Sequence, residues 1–158
     1  MPIPDANLYP PFNIVRLSHV EYRVTDLAAS RAFYVDTLGL QVTDEDDSTI
    51  YLRAMEERGH HCIALVKADA ASVGVLGFKL YDEAELDKAA AWFEAQGLGV
   101  DWVERPYMGR AFRSRDPYGV PLEFYCEMEK LPAIHQQYKL YRGVRPLRID
   151  HFNCFSID

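Results

Sequence analysis

The apolar positions of this chain change their spacing twice, and in the same order each time. Residues 16–24 read as a strand. Thr25-Asp26 then supplies a helix N-cap, Leu27, Tyr34 and Leu38 recur at helical spacing with Phe33 beside them, and Gly39 stops the helix. Residues 40–45, 49–55 and 62–67 read as three strands, with Glu56-Glu57-Arg58-Gly59 as the turn before the last. The order then repeats. Residues 73–81 form a strand, and Asp82 with Glu85 has capping-box spacing. Leu86, Ala89, Ala90 and Phe93 make an apolar helix face, and Gly97 ends it. Residues 100–103, 110–114 and 120–126 are the closing strands. Phe33-Tyr34 before Gly39-Leu40 echoes Trp92-Phe93 before Gly97-Leu98. An aromatic pair thus packs each helix end on the sheet, and a glycine turns the chain back.

Three strands follow each helix, so the pattern predicts an α+β protein of two βαβββ modules, not a wound parallel sheet. Residues 1–15, rich in proline and polar side chains, read as an extended arm. The modules occupy residues 16–70 and 71–126. Residues 127–147 form a linker with a short helical stretch at 131–138. A second repeat appears at the end of the chain. Arg16-Leu17-Ser18-His19-Val20-Glu21-Tyr22-Arg23-Val24-Thr25-Asp26 aligns without a gap on Arg148-Ile149-Asp150-His151-Phe152-Asn153-Cys154-Phe155-Ser156-Ile157-Asp158. Residues 148–158 therefore read as the first strand of a further, truncated domain. They are expected to stand apart from the core of residues 16–126.

Composition narrows the function classes. Hydrophobic residues make up 49% of the chain and charged residues 26%, enough to bury a core. The net charge of -7, with no basic stripe, argues against nucleic acid as a partner. No apolar run is long enough to span a bilayer, so no membrane partner is expected. Met1-Pro2-Ile3-Pro4-Asp5 lacks the features of a signal peptide. Cys62, Cys126 and Cys154 have no C-x-x-C spacing and read as buried reduced thiols, which points to the cytoplasm.

The residues able to carry chemistry are His19, His60, His61, Glu123 and His151. The first strand of one module and the last strand of the other can line one concave face, which would bring His19 and Glu123 together. Two imidazoles and a carboxylate with open positions opposite suit non-haem Fe(II). Glu123 interrupts an apolar run and needs a partner. That partner is either a metal or an arginine such as Arg113 or Arg115. His19 is likewise either a ligand or a hydrogen-bonded strand histidine. A third ligand would have to come from the second module's first strand, where Val75, Leu76 and Phe78 cannot bind metal, so this half reads as a disabled site. His60-His61 follow a glycine turn. Exposure at a loop edge is expected, with at most one ring facing a shared site. His151 sits at the ligand-competent position of the terminal repeat, and Asn153 points to the same face.

Several segments resemble a known family: Val24-Thr25-Asp26-Leu27, Phe33-Tyr34-Val35-Asp36-Thr37-Leu38-Gly39-Leu40, Thr49-Ile50-Tyr51-Leu52-Arg53, Asp116-Pro117-Tyr118-Gly119 and Leu147-Arg148-Ile149-Asp150-His151-Phe152-Asn153. They resemble the N-terminal half of the homoprotocatechuate (3,4-dihydroxyphenylacetate) 2,3-dioxygenases. These are type I extradiol enzymes of the vicinal oxygen chelate superfamily, which also holds glyoxalase I and the bleomycin-resistance proteins. The resemblance implies four βαβββ modules, the first two structural. It also implies a second domain holding Fe2+, with Mn2+ as an alternative, on two histidines and a glutamate. His151 matches the first of those metal ligands and Asn153 an active-site residue beside the metal. The implied partners are a catechol and O2, and a homo-oligomer is expected. For this chain alone, no bound metal and no activity are expected. The alternative is a stand-alone glyoxalase- or bleomycin-resistance-like module that binds a small ligand.

Overall fold

In a computed structural model, residues 8–153 are described. The strands are β1 (Ile14–Val24), β2 (Gln41–Glu45), β3 (Thr49–Arg53), β4 (Ile63–Lys67), β5 (Ser72–Leu80), β6 (Asp101–Val103), β7 (Ala111–Arg115) and β8 (Pro121–Tyr125). The helices are α1 (Leu27–Arg31) and α2 (Glu83–Ala95). All eight strands join one sheet in the order β2-β3-β4-β1-β5-β8-β7-β6. Within each module the first strand runs parallel to the last, β1 to β4 and β5 to β8. The remaining pairs are antiparallel. The modules meet through the antiparallel pair β1–β5, so the first strand of each covers the exposed edge of the other. These are the two βαβββ units that the sequence predicts.

Both helices begin where the sequence places their caps. The Asp26 side chain accepts from Ala29 N at 2.8 Å, and Asp82 accepts from Glu85 N at 2.9 Å. The reciprocal arm of the capping box is missing. Glu85 Oε2 instead accepts from Asn13 N at 2.7 Å and Asn13 Nδ2 at 3.0 Å, which ties the N-terminal arm to α2. Phe12 follows, packing its ring against Trp92, Phe93 and Phe124. After Arg31 the helix widens into one π-helical stretch, Ala32–Thr37. Tyr34 stacks on Tyr22 while Phe33 stays half-exposed.

Alternation along β1 sorts its side chains onto two faces. Val20, Tyr22 and Val24 join Leu40, Ile50, Leu52 and Leu65 in a first core that packs Leu27, Tyr34 and Val35. A second core of Leu80, Leu86, Phe93, Phe112 and Phe124 lies under α2. Phe78 and Leu122 touch both, so the apolar layer is continuous. The opposite face of the sheet carries the buried polar residues His19, Glu21 and Glu123 among small apolar ones such as Ala64 and Val75.

The connector departs from expectation. Residues 131–138 form no helix, and only a 3₁₀ turn, Tyr138–Leu140, is present. Gln136, at φ 66°, breaks the helical path. The segment that follows lies against the end of the π-helical stretch. Val144 N bonds Thr37 O at 3.2 Å and Arg145 N bonds Leu38 O at 2.8 Å. Gly39, at φ +84°, makes this possible, because a Cβ there would sit 1.9 Å from Arg142 O. Residues 148–153 are not in a strand, since the described chain offers them no strand partner. Nor do they stand apart. Met55 N bonds Pro146 O, Glu56 N bonds Leu147 O, and Ile149 and Phe152 pack against the first core. The rest of the expected strand, residues 154–158 with Cys154, lies outside the described residues. Cys62 and Cys126 are buried free thiols.

Candidate functional site

His19, Gly77 and Glu123 form a straight row across three strands. His19 pairs with Gly77 on β5, and Gly77 pairs with Glu123 on β8. A Cβ at position 77 would lie 2.1 Å from His19 Cε1, so the glycine opens the space in which the two side chains meet. Gly74 does the same for Glu21, whose Oε1 would lie 2.2 Å from an added Cβ. His19 Nε2 lies 2.9 Å from Glu123 Oε1, and both side chains are 0% exposed.

Two arginines complete the cluster. Arg113 Nε donates to Glu123 Oε2 at 2.8 Å, and its Nη2 reaches Glu21 Oε2 at 3.2 Å. Arg105 Nη2 donates to Glu21 Oε2 at 2.7 Å. Its Nε is 3.3 Å from Glu123 Oε2 without hydrogen-bond alignment. Burial alone would raise the Glu123 carboxyl. The His19 hydrogen bond and the charges of His19 and the arginines outweigh burial and hold it at about 2. Both Glu123 oxygens are thus taken, and guanidinium groups stand where a cation would sit. This donor set does not fit a metal ion. Among the described residues, no three His, Cys, Asp or Glu side chains gather into a metal-holding group.

The readings of His19 as a hydrogen-bonded strand histidine and of Glu123 as an ion-pair residue are therefore the ones the structure adopts. Arg113 is the partner of Glu123, whereas Arg115 bonds Gly119 O. Opposite His19 stands Gly77, while Val75 and Leu76 are buried apolar neighbours, so β5 offers no third ligand. The expectation for His60 and His61 is overturned. Both are buried, 3% exposed each, and their Nδ1 atoms lie 3.3 Å apart. They precede β4, where strand alternation does not apply. The β6–β7 loop covers His60, stacking the Tyr107 ring on it at 3.5 Å, and Tyr107 is anchored by a hydroxyl bond to Asp44. The His61 ring lies 5.4 Å from that of His19 and 4.8 Å from Tyr51. Burial, then the neighbouring His19, lowers its pKa to about 2, so it stays neutral.

Glu21, Arg105 and the two glycines escaped the sequence reading. Glu21, two residues beyond His19, carries the face-sharing signal that applies to Asn153. Arg105 sits in a loop, and no periodicity marks it. His151 and Asn153 are exposed at the far end of the docked connector. The His151 Nδ1 atom is 3.4 Å from Asp150 Oδ2 and its side chain is 74% exposed. The structure does not bring them to His19 or Glu123.

A sequence profile of the Glyoxalase/Bleomycin resistance protein/Dioxygenase superfamily matches residues 16–124, and the chain belongs to that superfamily. It is 29% identical over 154 residues to a manganese-dependent 2,3-dihydroxybiphenyl 1,2-dioxygenase of Geobacillus genomosp. 3, covering 90% of this chain and 49% of that protein. It is also 29% identical to a metapyrocatechase of Geobacillus stearothermophilus, covering 93% and 48%. Its fold matches homoprotocatechuate 2,3-dioxygenase from Brevibacterium fuscum with a TM-score of 0.87 and 38% identity, covering 92% of this chain and 46% of that one. The enzyme of the same name from Arthrobacter globiformis gives 0.86 and 39%, covering 93% and 48%. The chain spans about half the length of the relatives it matches.

Proposed function

We propose that this chain is the N-terminal structural domain of an extradiol dioxygenase that opens 3,4-dihydroxyphenylacetate or a related catechol with O2, in aromatic catabolism. The supporting observation is the filled polar face. His19 and Glu123 occupy a module junction suited to a metal, yet His19 and the arginines take both Glu123 oxygens and neutralise its charge. The arm (1–15), the two modules (16–126) and the linker (127–147) would form this domain and its exit. Residues 148–158 would open a catalytic domain.

In that reading His151 supplies one imidazole ligand, and the other ligands come from the second domain. Asp150 Oδ2, 3.4 Å from His151 Nδ1, would steady the ring in that role. Asn153 would offer its amide to a bound oxygen atom. Ferrous iron would bring catechol and O2 to adjacent positions; manganese, named for one relative, is the alternative metal. We place the protein in the cytoplasm, where buried thiols such as Cys62 and Cys126 stay reduced, and as a homo-oligomer.

The test compares this 158-residue chain with a protein in which the chain continues into a second domain. Each is given ferrous iron, 3,4-dihydroxyphenylacetate and air. Yellow ring-opened product and oxygen uptake are expected only from the longer protein. Turnover by the 158-residue chain alone would overturn the structural-domain reading.

A further inference from the structure

A cavity of about 290 Å³ opens beside the buried network. Ser18, His61 and Tyr125 line it together with Arg58, Lys79 and Lys130. The other charges at its border are already matched. Arg16 Nη2 reaches both Glu57 oxygens at 2.6 Å, and Glu56 faces Arg148 at 3.9 Å. Arg58, Lys79 and Lys130 have no ion-pair partner among the described residues. In a chain of net charge -7, three uncompensated cations around one cavity reverse the local sign.

The lining also holds unused hydrogen-bonding capacity. His61 is 3% exposed, and its Nε2 has no partner. A buried polar atom left unpaired costs free energy that a ligand would recover. The Ser18 and Tyr125 hydroxyls bond each other. One of them donates, and the acceptor keeps its own proton to offer. The volume lies near the lower end of small-molecule sites.

We propose that this cavity binds a small oxyanion, either a carboxylate or a phosphate group. Arg58, Lys79 and Lys130 attract it, and His61 Nε2–H and the free hydroxyl proton hold it. For Nε2 to carry hydrogen, His60 Nδ1–H donates to His61 Nδ1 across their 3.3 Å separation. The site is independent of the proposed ring-opening chemistry, which involves His151 and Asn153.

The 158-residue chain is titrated with inorganic phosphate and, separately, with benzoate. Calorimetry follows binding, and NMR follows the His61 Cε1–H resonance. At least one probe should bind saturably, one per chain, and shift that resonance. Phosphate alone would identify a phosphate site, benzoate alone a carboxylate site, and both a general oxyanion site. The double variant Lys79→Gln/Lys130→Gln should weaken binding about tenfold, as the loss of two partly solvated charges predicts. Added salt should weaken it too. Arg110→Gln, away from the cavity, should leave it unchanged. The proposal fails if neither probe saturates. It fails equally if the double variant, folded with an unchanged melting temperature, binds as tightly, or if the His61 resonance does not move.

Discussion

His19 Nε2 lies 2.9 Å from Glu123 Oε1, although β1 and β8 are not neighbours in the sheet. The strand between them contributes Gly77, which has no side chain to separate them. Gly77→Ala should therefore be costly in a way that an ordinary strand substitution is not. The new methyl would lie 2.1 Å from His19 Cε1 in a closed interior. A loss of roughly 1–3 kcal/mol in urea-unfolding stability is expected, as for overpacked cores. The double variant Gly77→Ala/His19→Ala should lose clearly less than the sum of the single variants, because the clash partner is gone.

The arginine-filled junction predicts its own metal content. The purified chain, loaded with ferrous, manganous or zinc ions and then desalted, should retain none stoichiometrically on His19 and Glu123. Elemental analysis decides it. Arg113→Leu should destabilise the fold instead, because Glu123 and Glu21 lose a shared partner. Breaking a fully buried pair costs about 3–5 kcal/mol. Arg113 is 28% exposed, and Arg105 remains, so a loss of about 2 kcal/mol by chemical denaturation is expected.

Stability should fall with acid in two stages. His61 is neutral in the folded chain, its pKa lowered from 6.5 to about 2, first by burial. The unfolded chain takes up a proton on His61 below pH 6.5 and the folded chain does not. The contribution is thus complete above 6.5 and shrinks as pH drops, by about 1.4 kcal/mol per unit for one proton. Glu123, held at about 2, adds a second loss as pH falls from 4.5 toward 2. Glu57, raised by burial, works the other way, because its folded form takes up its proton first. Urea midpoints measured from pH 7.5 to 5 should decline, and His61→Gln should flatten that decline.

The fold was legible because each module carries its own punctuation. Asp26 and Asp82 cap helices, Gly39 and Gly97 end them, and the strands fall within a residue or two of their predicted spans. The His19–Glu123 meeting was legible from topology. Its chemistry was not, because Arg105 reaches it from a loop and Glu21 reads locally as an ordinary strand charge. His60 and His61 misled because a glycine turn suggests exposure. Tyr107, nearly fifty residues away in sequence, covers His60, and His61 packs on His19 and Tyr51, contacts that no local pattern records.

Residues 148–153 form no strand, yet Ile149 and Phe152 lie against the first core. Ile149→Ala/Phe152→Ala should lower stability by about 1–2 kcal/mol, consistent with half-buried side chains. An unchanged melting temperature in that variant would show that the segment is not docked in solution. Gly143→Ala offers a second check, since its Cβ would meet Thr37 O at 2.2 Å and lift the connector from the π-helical stretch.

His151 and Asn153, the residues proposed to act in ring opening, should differ in what their loss removes. In a protein that carries this chain followed by a second domain, His151→Ala should abolish metal retention and catechol cleavage together. The imidazole is one of three proposed ligands, and two ligands do not hold iron in a defined geometry. Asn153→Ala should keep the metal and slow the oxygen-dependent step, because its amide is proposed to act on a bound oxygen atom. Metal analysis and oxygen uptake, run on the same preparations, distinguish the cases. Full metal and full activity after His151→Ala would remove the ligand assignment. Metal loss in Asn153→Ala would move Asn153 into the ligand set. Unchanged activity there would leave it without a role in the reaction.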